Sequence, residues 1–137
     1  MSLTAGREEG RTVAFNENIV ARALSNRWFR EVLATGPHAQ VVVMCIPSGG
    51  EIGDEVHDGV DQVLVFVEGH GEAILDGVRS PVGPDRLVLV PAGTRHNFVN
   101  TGETELRLYT IYAPPEHAPG TIHRTKAEAD AAEEAEH

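Results

Sequence analysis

The chain has 137 residues and a mass of 14.8 kDa, with 41% hydrophobic and 23% charged residues, which is the balance of one folded globular domain. Its formal net charge of −10 argues against nucleic-acid binding, because phosphate contacts require an excess of Lys and Arg. The single cysteine, Cys45, excludes an intramolecular disulfide and a cysteine-rich zinc knuckle.

The two ends of the chain differ in composition from its middle. Residues 1–12 are small, charged and rich in glycine, and we expect them to form a flexible leader ahead of a domain spanning residues 13–125. Residues 126–137 form an acidic tail of Ala and Glu, either a frayed helix or disordered. No apolar signal core and no apolar run near the roughly 20 residues of a membrane span is present, so we expect a cytoplasmic protein without membrane contact.

The pattern of the middle of the chain is that of a β protein. One short helix is predicted at residues 17–24, with Asn16 as its N-cap. Apolar, β-branched runs follow, each closed by Gly, Pro, Asn or Asp, at residues 41–46, 63–67, 73–75, 86–90, 98–99 and 106–112. Turn signals spaced by about 8–12 residues are typical of an antiparallel sandwich or barrel. The sequence therefore predicts an all-β fold.

The run at residues 63–67 is apolar at every position, so both of its faces should be covered. The barrel interior would cover one face. A second subunit or the N-terminal segment would cover the other, and of these two we expect the second subunit, hence a homodimer.

Four side chains next to the second and fifth runs could bind a metal ion. Glu55 and His57 are two residues apart, so in an extended segment they point to one face. Gln62 shares its parity with Leu64 and Phe66, and His96 follows the Pro91 turn. Two imidazoles, one carboxylate and one amide oxygen suit zinc, manganese, iron or nickel better than calcium.

These residues lie in two spaced motifs. The first is Gly49-x5-Glu55-x-His57-x4-Gln62-x6-Gly69, and the second is Pro91-x-Gly93-x2-His96-x3-Asn100. Together they resemble the two signature motifs of the cupins, in particular the small single-domain group of cupin type 2 conserved barrels that includes phosphomannose-isomerase-like proteins. The resemblance implies a cupin double-stranded β-helix, or jelly-roll barrel, with Glu55, His57, Gln62 and His96 around one divalent metal ion.

The chain departs from the cupin pattern at three positions. Glu55 stands where the first motif has its first His, and Gln62 stands where that motif has Glu. The leading Gly of the second motif is replaced by Asp85. All spacings between the metal-ligand positions are kept.

Three functions are compatible with such a chain. The first is a metalloenzyme that performs Lewis-acid isomerase or lyase chemistry on a small organic or sugar-like substrate. The second is a metal-dependent dioxygenase of an aromatic or apolar substrate, for which Leu64, Phe66, Phe98 and Met44 would supply an apolar pocket wall. The third is a non-catalytic cupin that binds a small molecule.

Further polar residues are candidates for the mouth of the barrel. His117, in the loop after the last strand, is the candidate catalytic base, and we weigh it against a plain loop histidine. Arg30, Gln40, Asp61 and Tyr109 could also enter the mouth, or could equally be surface or strand-pairing residues.

Overall fold

The computed structural model describes residues 14–136, so the predicted leader at residues 1–12 lies outside the described residues. Nine strands and two helices make up this part of the chain. Their bounds in chain order are α1 Ile19–Ser25, β1 Arg30–Thr35, β2 Gln40–Ile46, β3 Asp61–Glu68, β4 Gly71–Leu75, β5 Val78–Val82, β6 Leu87–Val90, β7 His96–Asn100, β8 Leu106–Ala113, β9 Ile122–His123 and α2 Lys126–Glu136.

The strands form two antiparallel sheets. The larger has the order β6-β3-β8-β2-β1-β9, and the smaller has the order β5-β4-β7. Their inner faces share one apolar core, in which Leu64 and Leu108 of the larger sheet meet Ala73 and Phe98 of the smaller. Burial alternates along β7 and β8, because successive side chains of a strand point to opposite faces, and one face of each packs into this core. The all-β jelly-roll prediction is confirmed.

All six runs predicted as strands are strands, and three further strands were missed. The segment that forms β1, REVLAT, mixes charged and apolar residues without clean alternation. The segment of β5, VRSPV, contains a proline and is largely exposed, and β9 has only two residues. β5 and β9 are edge strands, and such strands carry little hydrophobic periodicity because pairing with a neighbour rather than burial defines them.

The first helix begins two residues later than predicted, and its N-cap is Asn18 rather than Asn16. The Asn18 side chain accepts a hydrogen bond from the Ala21 amide at 3.0 Å. The helix packs on the outer face of the larger sheet, where Ala23 joins Leu33 and Val43 in a second apolar cluster. The N-terminal segment therefore covers part of the face for which a second subunit was expected.

The acidic tail is a helix in the structure. Ala129 of α2 is buried against the main core, which fastens the helix to the barrel. None of the helices in residues 14–136 is long and apolar enough to cross a membrane.

Candidate functional site

The two sequence motifs meet at the pair Glu55 and His96. The Glu55 amide donates to the His96 carbonyl at 2.9 Å, and the His96 amide donates to the Glu55 carbonyl at 2.9 Å. This bridge is isolated, because residues 51–57 run extended beside β7 without forming a regular strand. Directly paired residues in an antiparallel ladder carry their side chains on the same face, so Glu55 and His96 belong to one site.

His57 lies between two carboxylates. Its Nε2 is 3.0 Å from Oε2 of Glu55, and its Nδ1 is 3.0 Å from Oε2 of Glu116. The hydrogen bonds to Glu116 and Glu55 outweigh the burial of the ring and raise the pKa of His57 to about 9. Burial disfavours ionisation of Glu55, but the hydrogen bond from His57 prevails, so the pKa of Glu55 lies below its ordinary value.

A second hydrogen bond, from Nδ1 of His57, lowers the pKa of Glu116. In this arrangement a protonated imidazole therefore lies between two ionised carboxylates and donates a hydrogen bond to each.

His96 is oriented by the backbone beside it. Its ring is 3% exposed, and its Nδ1 lies 2.8 Å from the Thr94 carbonyl. A carbonyl only accepts hydrogen bonds, so Nδ1 carries a proton, and the lone pair of the neutral ring is on Nε2. A backbone carbonyl that holds the outer nitrogen of a histidine is a common support for a metal ligand.

Gln62 points into the barrel with Leu64 and Phe66, as its parity predicted. Its Nε2 donates to Oγ1 of Thr110 at 3.1 Å, so the amide orientation is set. Its Oε1 is buried and has no hydrogen-bond partner. A buried carbonyl oxygen without a partner costs folding free energy. This oxygen is therefore available to give its electron pair to a bound ligand or metal ion.

Two of the proposed donors are separated as two ligands of one divalent metal ion would be. Two donor atoms each about 2.1 Å from one ion and at right angles to each other lie about 3.0 Å apart, which is the separation of the Glu55 and His57 donors. His96 offers a lone pair, and Gln62 offers an orphaned oxygen. Within residues 14–136, no three His, Cys, Asp or Glu side chains already surround one point as metal ligands would. His57 would have to exchange its proton for the ion.

A cavity of about 630 Å³ opens beside Glu55 and His57, whereas Gln62 and His96 are not among the residues that line it. Its lining is mainly polar and comes from the 54–57 segment, β1, the loop after β8, β9 and helix α2. The lining residues are Arg30, Asp54, Glu55, Val56, His57, Glu116, His117, Ala118, Thr121, His123, Ala129, Ala132 and Glu133.

The expected apolar pocket wall is not part of this cavity. Leu64, Phe66, Phe98 and Met44 are fully buried in the core and do not line it. They fill the space between the two sheets, and the cavity lies at the end of the barrel where side chains are polar. Inward-facing positions of a small barrel supply packing as well as a pocket, and these four residues pack in the core.

The loop after β8 brings His117 to the cavity. The His117 amide donates to Oε1 of Gln40 at 3.0 Å, and the His117 carbonyl accepts from Nε2 of Gln40 at 2.7 Å, so the buried Gln40 fixes the loop. The His117 ring meets Tyr112 edge-on, with centroids 5.0 Å apart. Burial, with the charge of Arg30, lowers the pKa of His117 to about 4, so the ring is neutral at neutral pH.

The other mouth candidates divide between the cavity and the scaffold. Arg30 lines the cavity and is only 6% exposed, with its Nη1 3.3 Å from Nδ1 of His123. Tyr109 packs in the outer cluster under α1. Asp61 accepts a hydrogen bond from the Ala92 amide at 2.8 Å and so supports the turn before His96.

Two contributions to the site escaped the sequence analysis. Glu116 precedes the candidate base His117, and an acidic residue beside a candidate histidine was the available signal. The alanines of α2 that line the cavity, Ala129 and Ala132, had no signal, because a helix of Ala and Glu shows no apolar stripe.

Comparison with known proteins identifies the family. The profile of the cupin domain matches residues 42–112, which is more than half of the chain and contains all four proposed metal ligands. The chain belongs to the cupin family. Cupins commonly bind a divalent metal ion.

Two bacterial proteins are similar to this cupin over most of its length. It is 44% identical over 126 residues to the uncharacterized protein YrkC of Bacillus subtilis, covering 88% of this chain and 68% of YrkC. The crystal structure of BH2720 from Bacillus halodurans is 42% identical, with a TM-score of 0.86 over 94% of this chain and 99% of BH2720. KdgF from Halomonas sp., 23% identical with a TM-score of 0.60 over 64% of this chain and 78% of its own, shares the fold alone.

Proposed function

We propose that this cupin is a metal-dependent enzyme of the isomerase or lyase type that acts on a small, polar organic or sugar-like molecule. Glu55, His57, Gln62 and His96 would hold one divalent ion, and His117 would transfer a proton. The observation that carries the proposal is the paired bridge between Glu55 and His96, with His57 Nε2 3.0 Å from the Glu55 carboxylate.

The metal would act as a Lewis acid that polarises a carbonyl or hydroxyl oxygen of the substrate. The protein side chains account for the rest of the chemistry. Glu116 holds Nδ1 of His57, which fixes the ring orientation and the tautomer. His117 is neutral, and its buried Nε2 has no hydrogen-bond partner, so it is available to exchange a proton or a hydrogen bond with a bound substrate.

The chemistry of the cavity favours this reaction class over the dioxygenase. A dioxygenase of an aromatic or apolar substrate needs an apolar pocket, whereas five charged side chains line this cavity, namely Arg30, Asp54, Glu55, Glu116 and Glu133. A non-catalytic small-molecule-binding cupin would have the same donors and is distinguished by the absence of turnover.

The proposal is tested by hydrogen exchange. The metal-free protein is loaded in turn with zinc, manganese, nickel and anaerobic ferrous iron, and proton NMR follows deuterium incorporation from D2O into small hydroxy-carbonyl compounds. Exchange that depends on metal and is lost in His117→Gln supports the isomerase or lyase. Oxygen consumption by the iron form alone indicates the dioxygenase. Metal-dependent substrate binding without either reaction indicates the non-catalytic module.

A further inference from the structure

The wall of the cavity formed by β1 and the loop after β8 contains two buried nitrogen atoms without partners. In the described part of the chain, three buried side-chain polar atoms lack a hydrogen-bond partner, and they are Arg30 Nε, His117 Nε2 and Gln62 Oε1. Gln62 is already assigned to the metal. Arg30 and His117 both line the cavity.

A buried arginine whose guanidinium lacks a full set of hydrogen bonds is unusual. Its side chain is almost wholly removed from solvent, and burying a guanidinium is expensive unless its N–H groups are paired. Nη1 lies 3.3 Å from His123 Nδ1. This contact holds one end of the guanidinium, and Nε has no hydrogen-bond partner.

The position of Arg30 keeps it on this wall. It opens β1, where its backbone pairs with Met44 on one side and with His123 on the other. Its guanidinium lies over the Phe29 ring, with Cζ 5.2 Å from the ring centroid. A strand residue held from both sides presents its side chain with little conformational freedom, which favours recognition of a defined group.

We infer that Arg30 binds a carboxylate of the substrate, so that the substrate is a small organic acid. This inference rests on the proposed function for the reacting end of the substrate, which lies toward Glu55 and His57. Guanidinium N–H groups match the two oxygens of a carboxylate better than those of a neutral amide or hydroxyl. Neutral His117 beside Arg30 adds a hydrogen-bonding nitrogen and no repulsive charge.

The test uses glycolate and its neutral isostere glycolamide as probes on the full chain, with and without zinc. Isothermal titration calorimetry compares wild type with Arg30→Gln, Arg30→Lys and the control Arg79→Gln, which removes an exposed arginine of β5 paired to Glu72. We expect wild type and Arg79→Gln to prefer glycolate. Glycolate affinity should fall about tenfold or more in Arg30→Gln, and by less in Arg30→Lys, which keeps the charge.

A measurement on the wild type keeps the inference testable if the Arg30 variants do not fold. Glycolate should shift the side-chain Nε–H resonance of Arg30 in ¹H–¹⁵N spectra and leave that of Arg79 in place. Equal binding of glycolate and glycolamide, unchanged glycolate affinity in folded Arg30→Gln, or an unmoved Arg30 resonance would overturn the inference.

Zinc content separates this inference from the proposed function. Zinc bound at full occupancy with glycolate affinity independent of Arg30 refutes the inference and leaves the metal site intact. Glycolate bound through Arg30 in a protein that takes up no zinc upholds the inference and refutes the metal-dependent enzyme.

Discussion

Oε2 of Glu116 lies 3.0 Å from Nδ1 of His57, so a carboxylate from the loop after β8 supports the histidine of the first cupin motif. The other nitrogen of the ring contacts Glu55. The two carboxylates together fix the orientation of the His57 ring between the loop and the proposed metal position. The site therefore depends on the loop that follows the barrel as much as on the barrel itself.

The first prediction concerns the charge of His57. Replacing Glu116 with Gln removes the largest cause of the raised pKa, so the pKa of His57 should fall from about 9 in the metal-free protein. Histidine ring protons followed by NMR titration measure it. Glu133→Gln removes a cavity carboxylate that is not paired with His57 and should leave the titration unchanged. An equal pKa in Glu116→Gln and wild type would contradict the pairing.

The second prediction concerns the pH dependence of metal binding. Two imidazoles alone would lose the ion as pH falls through about 6.5, the ordinary histidine pKa. Since the pKa of His57 is raised to about 9, its proton already competes with the ion at neutral pH. Zinc affinity, measured by competition with a chelator, should therefore rise between about pH 7 and pH 8.5. An affinity independent of pH in this range would count against His57 as a ligand.

The third prediction concerns the metal ligands. His57→Ala and His96→Ala should each remove most of the bound metal, because each deletes one of only two nitrogen donors. Gln62→Ala should weaken binding less, since a neutral amide oxygen is the weakest donor of the set. Elemental analysis of metal per chain provides the comparison, with His38→Ala, an exposed turn residue, as control. Full occupancy in both histidine variants would place the metal elsewhere.

Much of the barrel could be predicted from the sequence, because burial of one face of a strand places apolar residues at every second position. Gln62 was predicted to point inward because it lies two and four residues before Leu64 and Phe66 and so shares their face of the strand. The spacing of the two motifs brought Glu55 and His96 into one site, where they form a backbone bridge. The first prediction rests on strand geometry, which local sequence encodes, and the second rests on the resemblance to the two cupin motifs.

The contributions of loops and of the terminal helix could not be predicted in this way. Glu116 reaches His57 through tertiary contact, and Gln40 holds the loop by hydrogen bonds to backbone atoms distant in sequence. Ala129 is buried although its segment is acidic overall. Such contacts depend on where elements dock, and hydrophobic periodicity contains no signal for them.

The fourth prediction concerns assembly, which we propose to be a homodimer. Helix α1 covers one part of the outer sheet face, but Leu87 and Leu89 of the edge strand β6 remain 60% and 54% exposed beside Val63 and Val65. An apolar edge strand promotes association, and a second copy would cover it in a closed pair. Light scattering after size exclusion should show a dimer, and the double variant Leu87→Lys with Leu89→Lys should be monomeric. A monomeric wild type at micromolar concentration would refute the proposal.

The last prediction concerns two backbone positions of the cupin motifs. Gly69 has a φ of +89°, and a Cβ there would lie 2.4 Å from the Glu105 carbonyl oxygen. Gly69→Ala should therefore lower the free energy of unfolding by about 2–4 kcal/mol, because backbone must move to admit the methyl group. Asp85 stands where the second motif has glycine, and its φ is 69°. Asp tolerates this left-handed conformation better than most residues.

Asp85→Gly is therefore the matched comparison, since it restores the residue of the motif at a position where the strain is already accommodated. The relief of strain and the greater freedom of the unfolded chain oppose each other, so the stability should change by less than about 1 kcal/mol. Urea denaturation followed by circular dichroism measures both variants. The steric argument for Gly69 fails if Gly69→Ala unfolds at the same urea concentration as Asp85→Gly, because only the first adds an atom against buried backbone.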